Sequence, residues 1–101
     1  MPEQRAGGSS DFRIFETDEF AARLAALPGT EASFIRAKLS RLVYPQLRAN
    51  PYVGPNVRKL RGYTPDTWRY RIGRFRLFFL VDAAERIVFM ITVDWRKNAY
   101  R

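Results

Sequence analysis

The stretch "TWRYRIGRFRLFFLV", residues 67–81, admits few folds. Successive side chains of a strand point to opposite faces of a sheet. Gly73-Arg74 has the Gly-X form of a two-residue type II′ turn. The turn predicts a hairpin in which Ile72 faces Phe75, Arg71 faces Arg76, Tyr70 faces Leu77, Arg69 faces Phe78 and Trp68 faces Phe79. One side then gathers Trp68, Tyr70, Ile72, Phe75, Leu77, Phe79 and Val81, an apolar surface that needs a covering layer. The other side carries Arg69, Arg71 and Arg76, with Phe78 beside them. Like charges directly opposite one another destabilise a sheet by about 0.2–1 kcal/mol. A face of this kind either keeps a sheet surface solvated or receives a polyanion.

The rest of the chain supplies the covering layer. "DFRIFET" alternates Phe12 and Ile14 with Asp11 and Arg13 and reads as a first strand. Thr17 or Asp18 caps a helix carrying Phe20, Leu24 and Leu27, which Pro28-Gly29 ends. A second helix starts at Thr30 with Ser33 and runs to about residue 47. Its apolar stripe is Phe34, Ile35, Leu39, Leu42 and Val43. "RANPYVGPNVRKLRGYTPDT" is rich in Pro, Gly and Asn and reads as a surface loop. Three strands follow, at residues 68–72, 75–81 and 86–93. The order β-α-α-β-β-β predicts an α+β fold, a helical hairpin packed on one face of a mainly antiparallel four-stranded sheet. Residues 1–10 read as a flexible tail and residues 11–101 as a single domain.

Composition narrows the chemistry. The 101 residues contain no Cys and no His, which removes disulfides, thiolate sites and the usual imidazole ligand or base. Neither a metal nor an organic cofactor is expected. The net charge is +8, divided unequally: residues 1–57 hold 7 Lys/Arg against 6 Asp/Glu, whereas residues 58–101 hold 11 against 4. A field of this sign favours polyanionic partners, and it centres on the second half. No apolar run reaches membrane-spanning length, and the N-terminus lacks the long apolar stretch of a signal peptide. A cytoplasmic location without membrane attachment is the expectation. Past the last strand, Arg96 and Tyr100 stand four residues apart in a short basic terminus, a spacing that can place both on one face of a turn.

"VRKLRGYTPDTWRYRIGRFRLFFLVDAAERIVFMITVDWRKNAYR" resembles the RelE/ParE superfamily of type II toxin–antitoxin toxins. The shared pattern is a "KLRG" element, the basic strand "W-R-Y-R-I", then "G-x-(F/Y)-R-L-x-(F/Y)", a final strand and a closing "R-x-x-x-Y". The resemblance spans about residues 11–101 and is strongest from Val57 onward. It implies, in the RelE branch, a ribosome-dependent endoribonuclease that cuts mRNA without a metal by attack of the ribose 2′-OH on the adjacent phosphate. The family's basic pair falls on Arg69 and Arg71, its next arginine on Arg76, and its C-terminal arginine and tyrosine on Arg96 and Tyr100. The implied catalytic set is Arg71, Arg76, Arg96 and Tyr100. The cations implied to hold RNA are Arg58, Lys59, Arg61, Arg69, Arg74 and Lys97. Two positions depart from the most active members: Arg69 and Arg71 replace lysines, and Trp95 stands where many members have histidine. The resemblance further implies a cognate antitoxin, received by apolar surface near the helices and the sheet edge, with operator DNA bound only through that antitoxin. The alternative is a ParE-like protein that inhibits DNA gyrase and is not a nuclease.

Overall fold

The computed structural model describes residues 11–95; the predicted tail at residues 1–10 lies outside the described residues. The elements are β1 (Arg13–Glu16), α1 (Asp18–Ala25), α2 (Gly29–Lys38), a π-helical turn (Leu39–Val43), α3 (Tyr44–Ala49), β2 (Val57–Lys59), β3 (Trp68–Ile72), β4 (Phe75–Asp82) and β5 (Ile87–Trp95). They form one sheet in the order β1-β5-β4-β3-β2, with a layer of helices on one face. The β1–β5 pair is parallel; the β5–β4, β4–β3 and β3–β2 pairs are antiparallel.

The α+β class and the helix-on-sheet layering agree with the sequence. Among the described residues the sheet has five strands rather than four. Val57–Lys59, inside the predicted loop, pairs with Trp68–Tyr70 as an edge strand. Three residues among prolines and glycines carry too little alternation to read as a strand; the ladder offered by β3 decides their conformation.

The central hairpin has the predicted register throughout, from Ile72↔Phe75 to Trp68↔Phe79. Gly73 sits at φ +56, the left-handed region that the first corner of a type II′ turn requires and that glycine occupies without Cβ strain. Tyr70, Leu77 and Phe79 are fully buried, and Ile72 and Phe75 nearly so. Between β4 and β5 the register slips: Phe78 pairs with Thr92 but Phe79 pairs with Met90, leaving Ile91 as the extra residue of a β-bulge. Val88 and Met90 therefore face the helices before the bulge, and Val93 faces them after it.

The helix layer is fixed to the sheet at both ends. The Thr17 hydroxyl accepts the Phe20 amide as N-cap of α1, at 3.2 Å. It also donates to the Met90 carbonyl beside the bulge, at 2.8 Å. Phe20 and Leu24 enter the core one turn apart. The second predicted helix runs from Gly29 to Ala49 with a π-helical turn inside it. The Tyr44 amide reaches back to the Leu39 carbonyl in a π-turn. Pro45 follows; it has no N–H to continue the α pattern, and its ring would crowd the preceding turn. Pro28, not Thr30, precedes the first residue of α2. Ile35, Leu39, Val43 and Leu47 form the buried stripe, whereas Phe34 and Leu42, expected in it, are 45% and 42% exposed. Tyr44 donates to Glu16 at 2.5 Å, tying the helical segment to β1. Burial first, then this bond and the Glu16 charge, raise the Tyr44 phenol well above its ordinary pKa.

Gln46 of α3 holds the long loop against the core. It accepts from the buried Tyr70 hydroxyl at 2.7 Å and donates to the Val53 carbonyl at 3.1 Å. A Cβ on Gly54 would lie 1.9 Å from Gln46 Nε2, so a side chain at 54 requires the Gln46 amide to move off its two partners. Gly54→Ala is expected to lower unfolding stability by about 1–3 kcal/mol, and Tyr70→Phe by about 1 kcal/mol. Both act through Gln46, so the double variant is expected to lose less than the sum; a denaturant-unfolding cycle measures this.

Candidate polyanion-binding face

The sheet face away from the helices is built by alternation. Strand β3 contributes Arg69 and Arg71, β4 contributes Arg76 and Phe78, and β2 contributes Arg58, which pairs with Arg69. Two rows cross the strands. One runs Arg58–Arg69–Phe78–Thr92; the next, two residues along, runs Arg71–Arg76–Asp94. Within a row, directly opposed side chains start about 5 Å apart at Cβ. The rows lie about 7 Å apart along the strands. Arg58 thus opposes Arg69, and Arg71 opposes Arg76.

Two of these arginines, Arg58 and Arg71, are exposed; the other two are not simply extended into water. Arg69 and Arg76 are half-buried, and among the described residues Arg69 Nε and Arg76 Nη1 are shielded from solvent without a hydrogen-bond partner. The Thr92 hydroxyl, in the same row as Arg69, is in the same condition. Burial lowers the Arg69 pKa from its ordinary value, and the charges of Arg58, Arg76 and Arg71 lower it further. Arginine remains protonated even so. Arg69 is therefore a cation that its own surroundings destabilise and that an anion with several acceptor oxygens would stabilise.

The predicted site residues divide into three groups. Arg58, Arg69, Arg71 and Arg76 converge on the open face. Lys59 pairs with Trp68, on the helix side of the sheet, and its ammonium lies 3.2 Å from Asp66; Arg61 is exposed beyond the end of β2, beside Arg58. Arg74, at the hairpin turn, borders a cleft with Phe34, Phe75 and Trp95 on the helix side. Arg96, Lys97 and Tyr100 lie outside the described residues. Trp95 stacks on Phe75 with ring centres 5.8 Å apart.

Two contributors escaped the sequence. Thr92 and Asp94 reach the arginine face through the bulge at Ile91, and Asp94 stands opposite Arg76. A signal for this exists: in "IVFMITVDW" the apolar alternation of Val88 and Met90 resumes at Val93 and Trp95, one residue out of phase. Among the described residues no helix is long and apolar enough to cross a membrane.

Comparison with known proteins agrees with this architecture. No curated protein matches the sequence. Among solved structures, the chain is similar to one from the RelBE2 toxin–antitoxin complex of Mycobacterium tuberculosis, with a TM-score of 0.69 and 20% identity over 87% of this chain and 94% of that one. It is also similar to one from the archaeal RelE–RelB complex of Pyrococcus horikoshii OT3, with a TM-score of 0.63 and 20% identity over 87% and 98%. The isolated E. coli RelE toxin gives a TM-score of 0.61 and 22% identity over 88% and 90%. At these identities the likeness establishes the fold. The family model for the ParE toxin of type II toxin–antitoxin systems matches residues 17–100, and the chain belongs to that toxin family.

Proposed function

We propose that this toxin is a ribosome-dependent endoribonuclease that cleaves mRNA in the cytoplasm and is silenced by a cognate antitoxin. The observation that carries the proposal is the pair of half-buried arginines, Arg69 and Arg76, whose inner nitrogens lack partners on a face that also holds Arg58 and Arg71. Such a face matches a phosphodiester whose charge grows as it reacts.

The chemistry is an internal displacement. The ribose 2′-oxygen forms a bond to phosphorus, the bond from phosphorus to the 5′-oxygen breaks, and a proton passes from the 2′-OH to a base while another reaches the departing 5′-oxygen. The products are a 2′,3′-cyclic phosphate and a 5′-hydroxyl. Arg76 and Arg71, opposed across the hairpin, are assigned to the non-bridging oxygens of the phosphorane. Arg96 is assigned to the same charge or to the leaving oxygen. Tyr100 is assigned as the base, a role in which a phenol must lose its proton more readily than free tyrosine does. Arginine keeps its proton, so Arg69 and Arg71 are assigned to binding and charge stabilisation rather than proton abstraction. Arg58 and Arg61 extend the positive surface along the strand of RNA, and Lys97 is assigned to RNA binding as well. Lys59 and Arg74 stand away from the open face and are assigned no contact with the scissile phosphate.

The antitoxin is assigned to apolar surface on the helix layer, where Phe34 and Leu42 are exposed. Operator DNA would be reached through that partner. A second proposal, gyrase inhibition without nuclease activity, is favoured by one observation: the matching family model is that of ParE toxins.

Two measurements test the proposal. Sulfate is expected to raise the melting temperature by a few degrees, about 2–5 °C, above chloride of equal ionic strength; the Arg69→Gln/Arg76→Gln double variant is expected to lose that difference. After brief induction, primer extension is expected to show new 5′ ends within codons. Arg76→Ala is expected to reduce cleavage about 100- to 1000-fold, and Tyr100→Phe to reduce it as well, both relieving growth arrest with antitoxin binding intact. Intact mRNA with gyrase-dependent DNA breaks would establish the second proposal instead.

A further inference from the structure

Beside the arginine rows lies an open depression of about 340 Å³ lined by Tyr63, Thr67, Phe78, Ile91 and Thr92. We propose that it is a nucleobase pocket, which seats one unpaired base of the RNA strand whose phosphates lie on the neighbouring arginines. The proposal rests on the proposed function only in taking single-stranded RNA as the ligand; it requires neither cleavage nor the ribosome.

Three features support it. The first is the wall chemistry. Tyr63 is 53% exposed at the tip of the loop before β3, although its ring is large and mostly apolar. Phe78 departs from the arginine alternation of its face, and together with Ile91 and Tyr63 it gives the depression apolar and aromatic walls. Aromatic and apolar walls that remain open to solvent suit the flat faces of a base, which stack without regard to sequence. The second is position. Phe78 lies in the same row as Arg69 and Arg58, and the Arg71–Arg76 row lies two residues along the strands. Cations that grip phosphates and a hollow for a base are thus one nucleotide's reach apart. The third is the Thr92 hydroxyl, shielded and without a hydrogen-bond partner among the described residues. It can donate to or accept from a base edge if the Tyr63 loop shifts as the base enters.

Charge decides between occupants. The row that borders the depression is cationic, so an apolar peptide segment would seat its side chain here only by leaving Arg58 and Arg69 uncompensated. A nucleotide satisfies the hollow and the cations together.

The test uses the full chain and a fluorescein-labelled hexaribonucleotide, 2′-O-methylated so that no strand scission intervenes. A hexamer of abasic ribose units with the same phosphates is the second probe. Anisotropy titrations are expected to show the base-bearing strand bound roughly tenfold more tightly than the abasic one, the scale of one stacked base. Tyr63→Ala, an exposed loop substitution, is expected to abolish that difference while leaving abasic binding and its salt dependence unchanged. Tyr63→Phe, which keeps the ring, is expected to bind as the unaltered protein does. Equal affinity for the two probes, or equal weakening of both by Tyr63→Ala, would overturn the pocket. So would a Tyr63→Ala variant that loses affinity for a co-expressed antitoxin but not for the base-bearing strand. Base-dependent binding with intact mRNA in cells would retain the pocket and overturn the ribonuclease; mRNA cleavage with equal affinity for the two probes would do the reverse.

Discussion

The structure depends on the register of one hairpin. Gly73 at φ +56 closes a two-residue turn that matches the observed pairing of β3 with β4. A slip of one residue would send every side chain to the other face. Tyr70, Leu77 and Phe79 would then meet water, and Arg69, Arg71 and Arg76 would be driven into the helix layer. Burial of an apolar side chain contributes about 1.5–3 kcal/mol, and an unpaired charge placed in a core is far more unfavourable. The apolar face thus enforces the register, and the register assembles the cationic face. Core and site are two sides of one alternation.

The helix layer keeps this arrangement rigid. Thr17 caps α1 and bonds the strand at the bulge, so the first helix is positioned by the irregularity that redirects β5. Gln46 links the buried Tyr70 hydroxyl to the Val53 carbonyl, joining the middle of β3 to the loop that leads into β2. Through β2 that loop delivers Arg58 opposite Arg69. A hydrogen bond in the core therefore supports a charge on the surface.

On the open face the electrostatics are unfavourable in the free protein. Two arginine pairs are opposed, and parts of two guanidinium groups are shielded without partners. Each term is modest, and an anion placed between the opposed arginines would offset them with attractive ones.

The hairpin, its register, the division of its faces and the α+β layering follow from alternation and one Gly-X turn, because those are local properties of the chain. So does the placing of Arg69, Arg71 and Arg76 on one surface. Other features required the tertiary structure. Val57–Lys59 becomes a strand only because β3 has a free edge. Phe34 and Leu42 lie off the buried stripe, which runs through Ile35, Leu39, Val43 and Leu47 at the four-residue spacing that the π-turn carries through. Thr92 and Asp94 reach the arginine face because a bulge changes the phase of β5. Lys59 and Arg74, equally basic in sequence, are directed elsewhere by their register and by the turn. The sequence determined the sign and density of the charge; long-range pairing decided which charges share a surface, since that depends on contacts between residues far apart in the chain.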